Sequence, residues 1–533
     1  MNTNIDQINP SPEFDLHSPP TSLPDPHFAG RGVIPSSVAG SGISPSAAQY
    51  RDLSRPAGRY SSGNTGTPEP VEPFEKELQR LLETMYAAMP TPQLPAFPAF
   101  PSTPPASYYF MPSPAAMPAL PGMPGHIPFD VERVRKDFPI LQERVNGRQL
   151  IWLDNAATTQ KPRSVIDRLS HFYQHENSNI HRAAHEMAAR ATDAYEDSRK
   201  KVKGFLNARS PNEIVFVRGA TEAINLVAKS YGEQRLKEGD EIIVSHLEHH
   251  ANIVPWQQLA AVTGAKLKVI PVDEDGQIIL EEYGKLLSPR TRLVSITHVS
   301  NALGTITPAR VMVEMAHRVG AKVLVDGAQA VSHMPVDVQS LDSDWYVFSG
   351  HKVFGPTGIG VLHGKEQLLN ETGPWQGGGN MIKDVTFEHT EYQHAPARFE
   401  AGTGNIADAV GLGAAIDYVQ GIGMELISQY EHYLLEYATR LLKQVPGLRL
   451  IGTAPDKAGV LSFVLEGHRT EDVGAALDKA GIAVRSGHHC AQPILRRFGV
   501  ESSVRPSLAL YNTCGDIDAL VQTLWQLQGS FRR

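Results

Sequence analysis

"KVLVDGAQA", residues 322–330, and "DWYVFSGHK", residues 344–352, are the two stretches whose reading decides the fold. Each opens on an unbroken apolar run. Each then closes on small and polar residues, Asp326 to Gln329 in the first and Ser349 to Lys352 in the second. Apolar runs of this length fit strands covered on both faces, the situation in a mostly parallel sheet with crossover helices. Open α/β sheets take their ligands at the carboxyl ends of such strands. The polar endings therefore mark a candidate site.

Working outward, "EIVFV", "EIIVS", "KLKVI" and "RLVSITHV" repeat the pattern, each followed by a helical or turn-rich stretch. The alternation predicts an α/β fold with a mostly parallel sheet over residues 151–401. Beyond Gly402 the character shifts to long amphipathic helices, as in "AAIDYVQGIGMELISQYEHYLLEYATRLLKQV", followed by a few strands. That predicts a smaller α+β domain over 402–533, with 129–150 as its N-terminal segment.

The first 128 residues differ. They hold 25 of the 40 prolines, and run in Ser, Gly, Ala and Pro with no sustained period. Such a stretch cannot bury enough apolar surface to offset its ordering entropy, which predicts a disordered arm. One island departs from this: Phe74, Leu78, Leu81, Leu82, Met85 and Met89 recur at helical steps between Pro73 and Pro90. It reads as a short amphipathic helix suited to docking in a groove on a partner.

Composition narrows the function. The formal charge is −8, without a basic block, so nucleic acid is not expected as a partner. No apolar run reaches the roughly 18 residues of a spanning helix and the N-terminus lacks a signal-peptide pattern, so a cytoplasmic protein without a membrane partner is expected. The two cysteines, Cys490 and Cys514, lack CxxC spacing and fit a reducing compartment.

Several residues carry candidate chemistry. Gly219, Ala220 and Thr221 sit where a strand meets a helix N-terminus, which offers free backbone N–H groups to a phosphate. Asp326, taken alone, reads as a helix cap. Lys352 follows an apolar run beside Ser349 and His351, which suits a desolvated amine able to form a Schiff base. "HLEHHANIVPW" brings His246, His249 and His250, but HExxH is absent and no third ligand set is evident, so no metal site is expected. An imidazole stacked on an aromatic cofactor stays open for these histidines. In "SGHHCAQP", Cys490 reads either as a reactive thiol or as a buried small side chain, the structural reading fitting Cys514 better.

The series "LDNAATTQKP", "RGATEAINLV", "EHHANIVPW", "THVSNALGT", "VLVDGAQAV", "FSGHKVFGPTGIGVL", "RFEAGTGN", "AVRSGHHCAQP" and "RPSLALYNT" resembles, in order, the group II (SufS-like) cysteine desulfurases of the class V aminotransferase family. The resemblance covers about Phe129 to the C-terminus. It implies the type I fold of pyridoxal 5'-phosphate (PLP) enzymes, with a mostly parallel seven-stranded sheet and a smaller α+β domain. It also implies roles. Lys352 would hold PLP and move protons, Asp326 would pair with the pyridinium nitrogen, Gln329 would reach the phenolic oxygen and His249 would stack on the ring. Ala220, Thr221, Ser349 and His351 would bind the phosphate, and Thr403 would reach the cofactor of the other subunit of a homodimer. Asn301 would lie near ring and substrate, with Asn155 and Arg505 on the substrate side and Arg505 clamping the carboxylate of L-cysteine.

Cys490 would take up the substrate sulfur as a persulfide, its thiolate favoured by Arg485, His488 and His489, and pass it to a SufE- or SufU-type acceptor protein. The arm resembles that of desulfurases packaged as cargo in encapsulin (family 2A) shells, which implies an encapsulin nanocompartment as location and sulfur storage or mobilisation as the task. Alternatives on the same fold are a selenocysteine lyase or an aminotransferase, for which Cys490 is less important. An inactive scaffold acting through its arm conflicts with intact Lys352, Asp326, Gln329 and Cys490.

Overall fold

The computed structural model describes residues 129–180 and 185–531. The proline-rich stretch and the helix expected around Phe74–Met89 lie outside them.

Seven strands form the large sheet: β1 (Ile214–Val217), β2 (Glu241–Ser245), β3 (Lys266–Ile270), β4 (Thr291–Thr297), β5 (Lys322–Asp326), β6 (Trp345–Ser349) and β7 (Gly360–Gly364). Their spatial order is β1-β7-β6-β5-β4-β2-β3. The five from β3 to β6 run parallel, while β7 is antiparallel to both β6 and β1. The unbroken apolar runs have the expected cause. Val323, Val325, Tyr346 and Phe348 enter the core on one face, and Leu324, Trp345 and Val347 enter the core on the other. Period-two alternation with both faces covered is what makes such a strand apolar throughout. Each of these side chains contributes roughly 1.5–3 kcal/mol by leaving water.

A second sheet is antiparallel throughout: β8 (Leu448–Leu450), β9 (Phe463–Leu465), β10 (Arg485–Gly487) and β11 (Ser503–Arg505), in the order β8-β9-β11-β10. Its core draws Leu434 and Leu442 from helix Met424–Leu442, Leu477 from helix Thr470–Lys479 and Ile517 and Leu524 from helix Cys514–Phe531. Helix Ile406–Ile422 packs instead on helices Arg163–His175 and Glu186–Phe205, within the core of the large sheet. A two-residue strand, Ile151–Trp152, pairs in parallel with Ile482–Ala483 and delivers the following loop to the edge of β11. No single helix among the described residues is long and apolar enough to cross a membrane.

Candidate active site

One cavity opens at the carboxyl ends of the large-sheet strands. Its wall takes Ala220 and Thr221 after β1, His249 after β2, Thr297 and Asn301 at and after β4, Asp326 and Gln329 at and after β5, and Ser349 to Lys352 from β6 onward. The second sheet closes it with Arg485 of β10, Arg505 of β11 and the intervening turn that carries His489 and Cys490. Residues from opposite ends of the sequence therefore converge, as the strand-end polar residues led one to expect.

Lys352 ends a tight turn, Gly350–Lys352, and burial lowers its ammonium to about 8 despite the opposing charge of Asp326. An amine so tuned is available as nucleophile or base near neutral pH. The turn is held from outside. The His351 carbonyl accepts from the Thr159 N–H and hydroxyl at 3.1 Å each and from Lys161 Nζ at 3.2 Å. Asp326 is buried, with Oδ1 accepting the Ala328 N–H at 2.9 Å and burial raising its carboxyl above the usual range. Gln329 Nε2 donates to the Ala156 carbonyl at 2.7 Å.

His249 accepts the Ala251 N–H on Nδ1 at 3.0 Å, which leaves any proton of the neutral ring on Nε2. Burial first, then Lys352, lowers it to about 3, so the ring is uncharged at working pH. At the other end, Ser349 Oγ accepts the Ala220 N–H at 2.9 Å, beside the start of helix Ala220–Val227. His351 is lowered to about 4 by burial and by Lys352, so that corner offers dipoles and not a histidine charge.

Arg505 is fully buried. It donates Nη1 to the Asn301 carbonyl at 3.0 Å and Nη2 to Asp154 Oδ1 at 3.2 Å, while its Nε has no partner. Asn301 Oδ1 is likewise buried and unpartnered. Both residues line the cavity, and each buried unmade bond costs about 1–3 kcal/mol. His489 and Cys490 both adopt positive φ, 52° and 53°, a locally strained turn, and both line the cavity. The turn is fastened by the His250 N–H donating to the Cys490 carbonyl at 2.8 Å.

Asn155, and Thr403 with its expected reach to a second copy, do not line this cavity. Thr403 is exposed on the loop before helix Ile406–Ile422 and lines a separate groove with Tyr195 and Trp375. The Asn155 amide is committed behind the cavity, donating to the Ser507 carbonyl at 2.7 Å and accepting from the Tyr511 hydroxyl. His489 also differs from expectation. Burial and Arg505 lower it to about 3 and its Nε2 is bonded at Ser503, so positive charge near Cys490 comes from Arg485 and Arg505 instead. Sequence reasoning passed over Asp154, Thr159 and Lys161. Their signal was present in the stretch "LDNAATTQKP", of which only Asn155 was singled out. Among the described residues no three His, Cys, Asp or Glu side chains converge as metal ligands would.

The class-V aminotransferase family pattern spans residues 151–520. The chain belongs to the class V aminotransferase family. A cysteine desulfurase of Synechococcus elongatus is 70% identical over 416 residues, covering 78% of this chain and 66% of that protein. A probable cysteine desulfurase of Mycolicibacterium paratuberculosis is 53% identical over 522 residues, 95% of this chain and 74% of the relative. The chain thus spans about two-thirds to three-quarters of the length of these two relatives. The crystal structure of the Escherichia coli cysteine desulfurase CsdA, in its S-sulfonic acid form, superposes with a TM-score of 0.70 at 40% identity, covering 75% of this chain and 99% of that one.

Class V enzymes of this kind depend on PLP, and the residues present fit it. A buried carboxyl at Asp326, a desolvated amine at Lys352, a flat neutral imidazole at His249 and the start of helix Ala220–Val227 line one cavity.

Proposed function

We propose that this protein is a group II cysteine desulfurase that converts L-cysteine to L-alanine and keeps the sulfur as a persulfide on Cys490. The observation that carries the reading is that Lys352, Asp326 and Cys490 face one cavity with Arg505. Lys352 would hold PLP, Asp326 would meet its ring nitrogen, His249 its face, Gln329 its phenolic oxygen, and Ala220, Thr221, Ser349 and His351 its phosphate. Bound there, PLP supplies an electron sink for charge developing at the substrate Cα.

The chain's own residues do the rest. Arg505 pairs with the substrate carboxylate, a charge-assisted contact with fixed geometry, and Asn301 lines the same cavity. Lys352 Nζ takes the Cα proton and returns it on the product side, a task suited to an amine near 8. The Cys490 thiolate attacks the substrate sulfur. A sulfur–sulfur bond forms as the carbon–sulfur bond breaks, and the thiol and L-cysteine together become persulfide and L-alanine. The balance needs no added oxidant or reductant.

Thr403, exposed on its loop, would reach the cofactor of a second copy and make the active unit a homodimer. A SufE- or SufU-type protein would collect the sulfur, and the N-terminal arm would carry the enzyme into an encapsulin shell. Incubating the purified full chain with L-cysteine and a thiol reductant should give a yellow protein that releases alanine and sulfide in equal amounts. Cys490→Ser should stay yellow yet lose alanine formation by about a hundredfold or more, and Lys352→Ala should lose the covalently held chromophore. Wild-type-like alanine production by Cys490→Ser would overturn the reading and favour a selenocysteine lyase, whereas loss of the amino group from L-cysteine to a 2-oxo acid acceptor would favour an aminotransferase.

A further inference from the structure

Strands β10 and β11 place Arg485 directly opposite Arg505 in their antiparallel register. Like charges across a strand pair repel. The repulsion is answered by one side chain, buried Asp154, which reaches in from the loop after strand Ile151–Trp152. Its Oδ1 lies 3.2 Å from Arg505 Nη2 and its Oδ2 lies 3.2 Å from Arg485 Nη2. One carboxylate thus joins two guanidiniums, and both line the cavity, which keeps a net positive charge there.

We propose that Asp154 is a positioning residue for substrate binding, one that fixes the plane of the Arg505 guanidinium for pairing with the substrate carboxylate. The proposal rests on the desulfurase reading above. Arg505 is held at two points, the Asn301 carbonyl on Nη1 and Asp154 on Nη2, and only Nε is left without a partner. Two anchors define a plane, and a carboxylate paired with a guanidinium needs that plane because both of its oxygens must find N–H groups. Asp154 is itself fixed: its carbonyl accepts the Ala157 N–H at 3.1 Å, and it is bridged to Ser507 beyond β11. It touches no reacting atom, so it acts through Arg505 and not on the chemistry.

Asp154 has two separable effects on a bound anion. Its negative charge weakens attraction, and its anchoring orders the fork. If anchoring dominates, removing the side chain weakens substrate binding; if screening dominates, it tightens binding. The test uses the holoenzyme of the full chain with Asp154→Ala and Asp154→Asn, measuring steady-state kinetics with L-cysteine and, in a Cys490→Ser background, L-cysteine binding by absorbance. We expect KM and the dissociation constant to rise about tenfold in Asp154→Ala, the factor for roughly 1.4 kcal/mol, with kcat within about threefold of wild type. Asp154→Asn keeps an oxygen towards Arg505 but loses the charge that holds the two guanidiniums, so its KM should rise about threefold, less than in Asp154→Ala. Unchanged or tighter binding in both variants, or a loss confined to kcat, overturns the proposal. Should Asp154→Ala fail to fold, an Asp154→Asn protein with wild-type or lower KM overturns it alone, and a KM raised about twofold or more supports it. A wild-type enzyme that forms no alanine from L-cysteine refutes instead the desulfurase reading on which the proposal stands.

Discussion

His298 follows β4, and its own N–H donates to the Asp326 carbonyl at 2.8 Å. Its ring is buried, with Nδ1 3.1 Å from the Tyr346 hydroxyl, and burial lowers it to about 4. The folded protein therefore keeps this imidazole neutral while the unfolded chain protonates it below about 6.5. Between those values the unfolded state binds more protons, so stability falls as pH drops, by about 1.4 kcal/mol per pH unit from this residue. In His298→Gln that slope should be smaller by about one proton over pH 4 to 6.5, measured by denaturant unfolding at several pH values against wild type. Identical slopes would show that the ring charges freely in the fold. The same physics explains what the sequence could not reveal about His489. Two histidines before a cysteine look like two potential cations, but charge depends on burial, and burial of His489 beneath β11 removes it. Lys352 was legible for the opposite reason: an apolar run ahead of it announces desolvation directly.

At the scale of elements, the strands were legible because both faces of the sheet are covered and the runs are continuous. The antiparallel strand β7 was harder, since "GVLHG" opens and closes on glycine and its partners β1 and β6 are distant or separated by a turn. The loop Asp154–Lys161 was least legible. Its value lies in contacts with Arg505, Ala156 to Gln329 and the His351 carbonyl, which no local period announces. One element-level constraint follows from Gly327, the residue that turns the chain between Asp326 and Gln329. A Cβ there would meet Tyr346 ring and hydroxyl atoms at 2.1 Å, and Tyr346 is fully buried. Gly327→Ala should therefore destabilise the protein by about 3 kcal/mol, with loss of bound PLP as Asp326 shifts. Gly204→Ala, where nothing lies within 4 Å, serves as the control and should cost nothing. Equal melting temperatures and equal PLP retention in the two variants would show that the strand end can relax around a methyl group.

At the scale of the whole chain, the cavity and the proline-rich stretch separate along the sequence. The cavity draws every lining residue from 156 onward, and the Escherichia coli structure is matched over 99% of its length by about three-quarters of this chain. A desulfurase of that kind is complete without a counterpart of the first 128 residues. The Mycolicibacterium relative is matched over 95% of this chain, which reaches well into those residues. A proline-rich stretch with repeated apolar anchors is suited to engaging a partner, because it spends its affinity on a few docked side chains while the rest remains solvated. If the partner is an encapsulin shell, co-expression with the shell protein should load the full chain at least about tenfold better than a chain beginning at Phe129, with both equally active on L-cysteine per subunit. Replacing Leu78, Leu81 and Leu82 by Ser in the full chain should reduce loading without touching turnover, since these apolar residues recur in the sequence at helical steps. Equal loading of all three proteins would separate the arm from encapsulation, and a loss of turnover in the shortened chain would mean that the arm serves the enzyme and not its address.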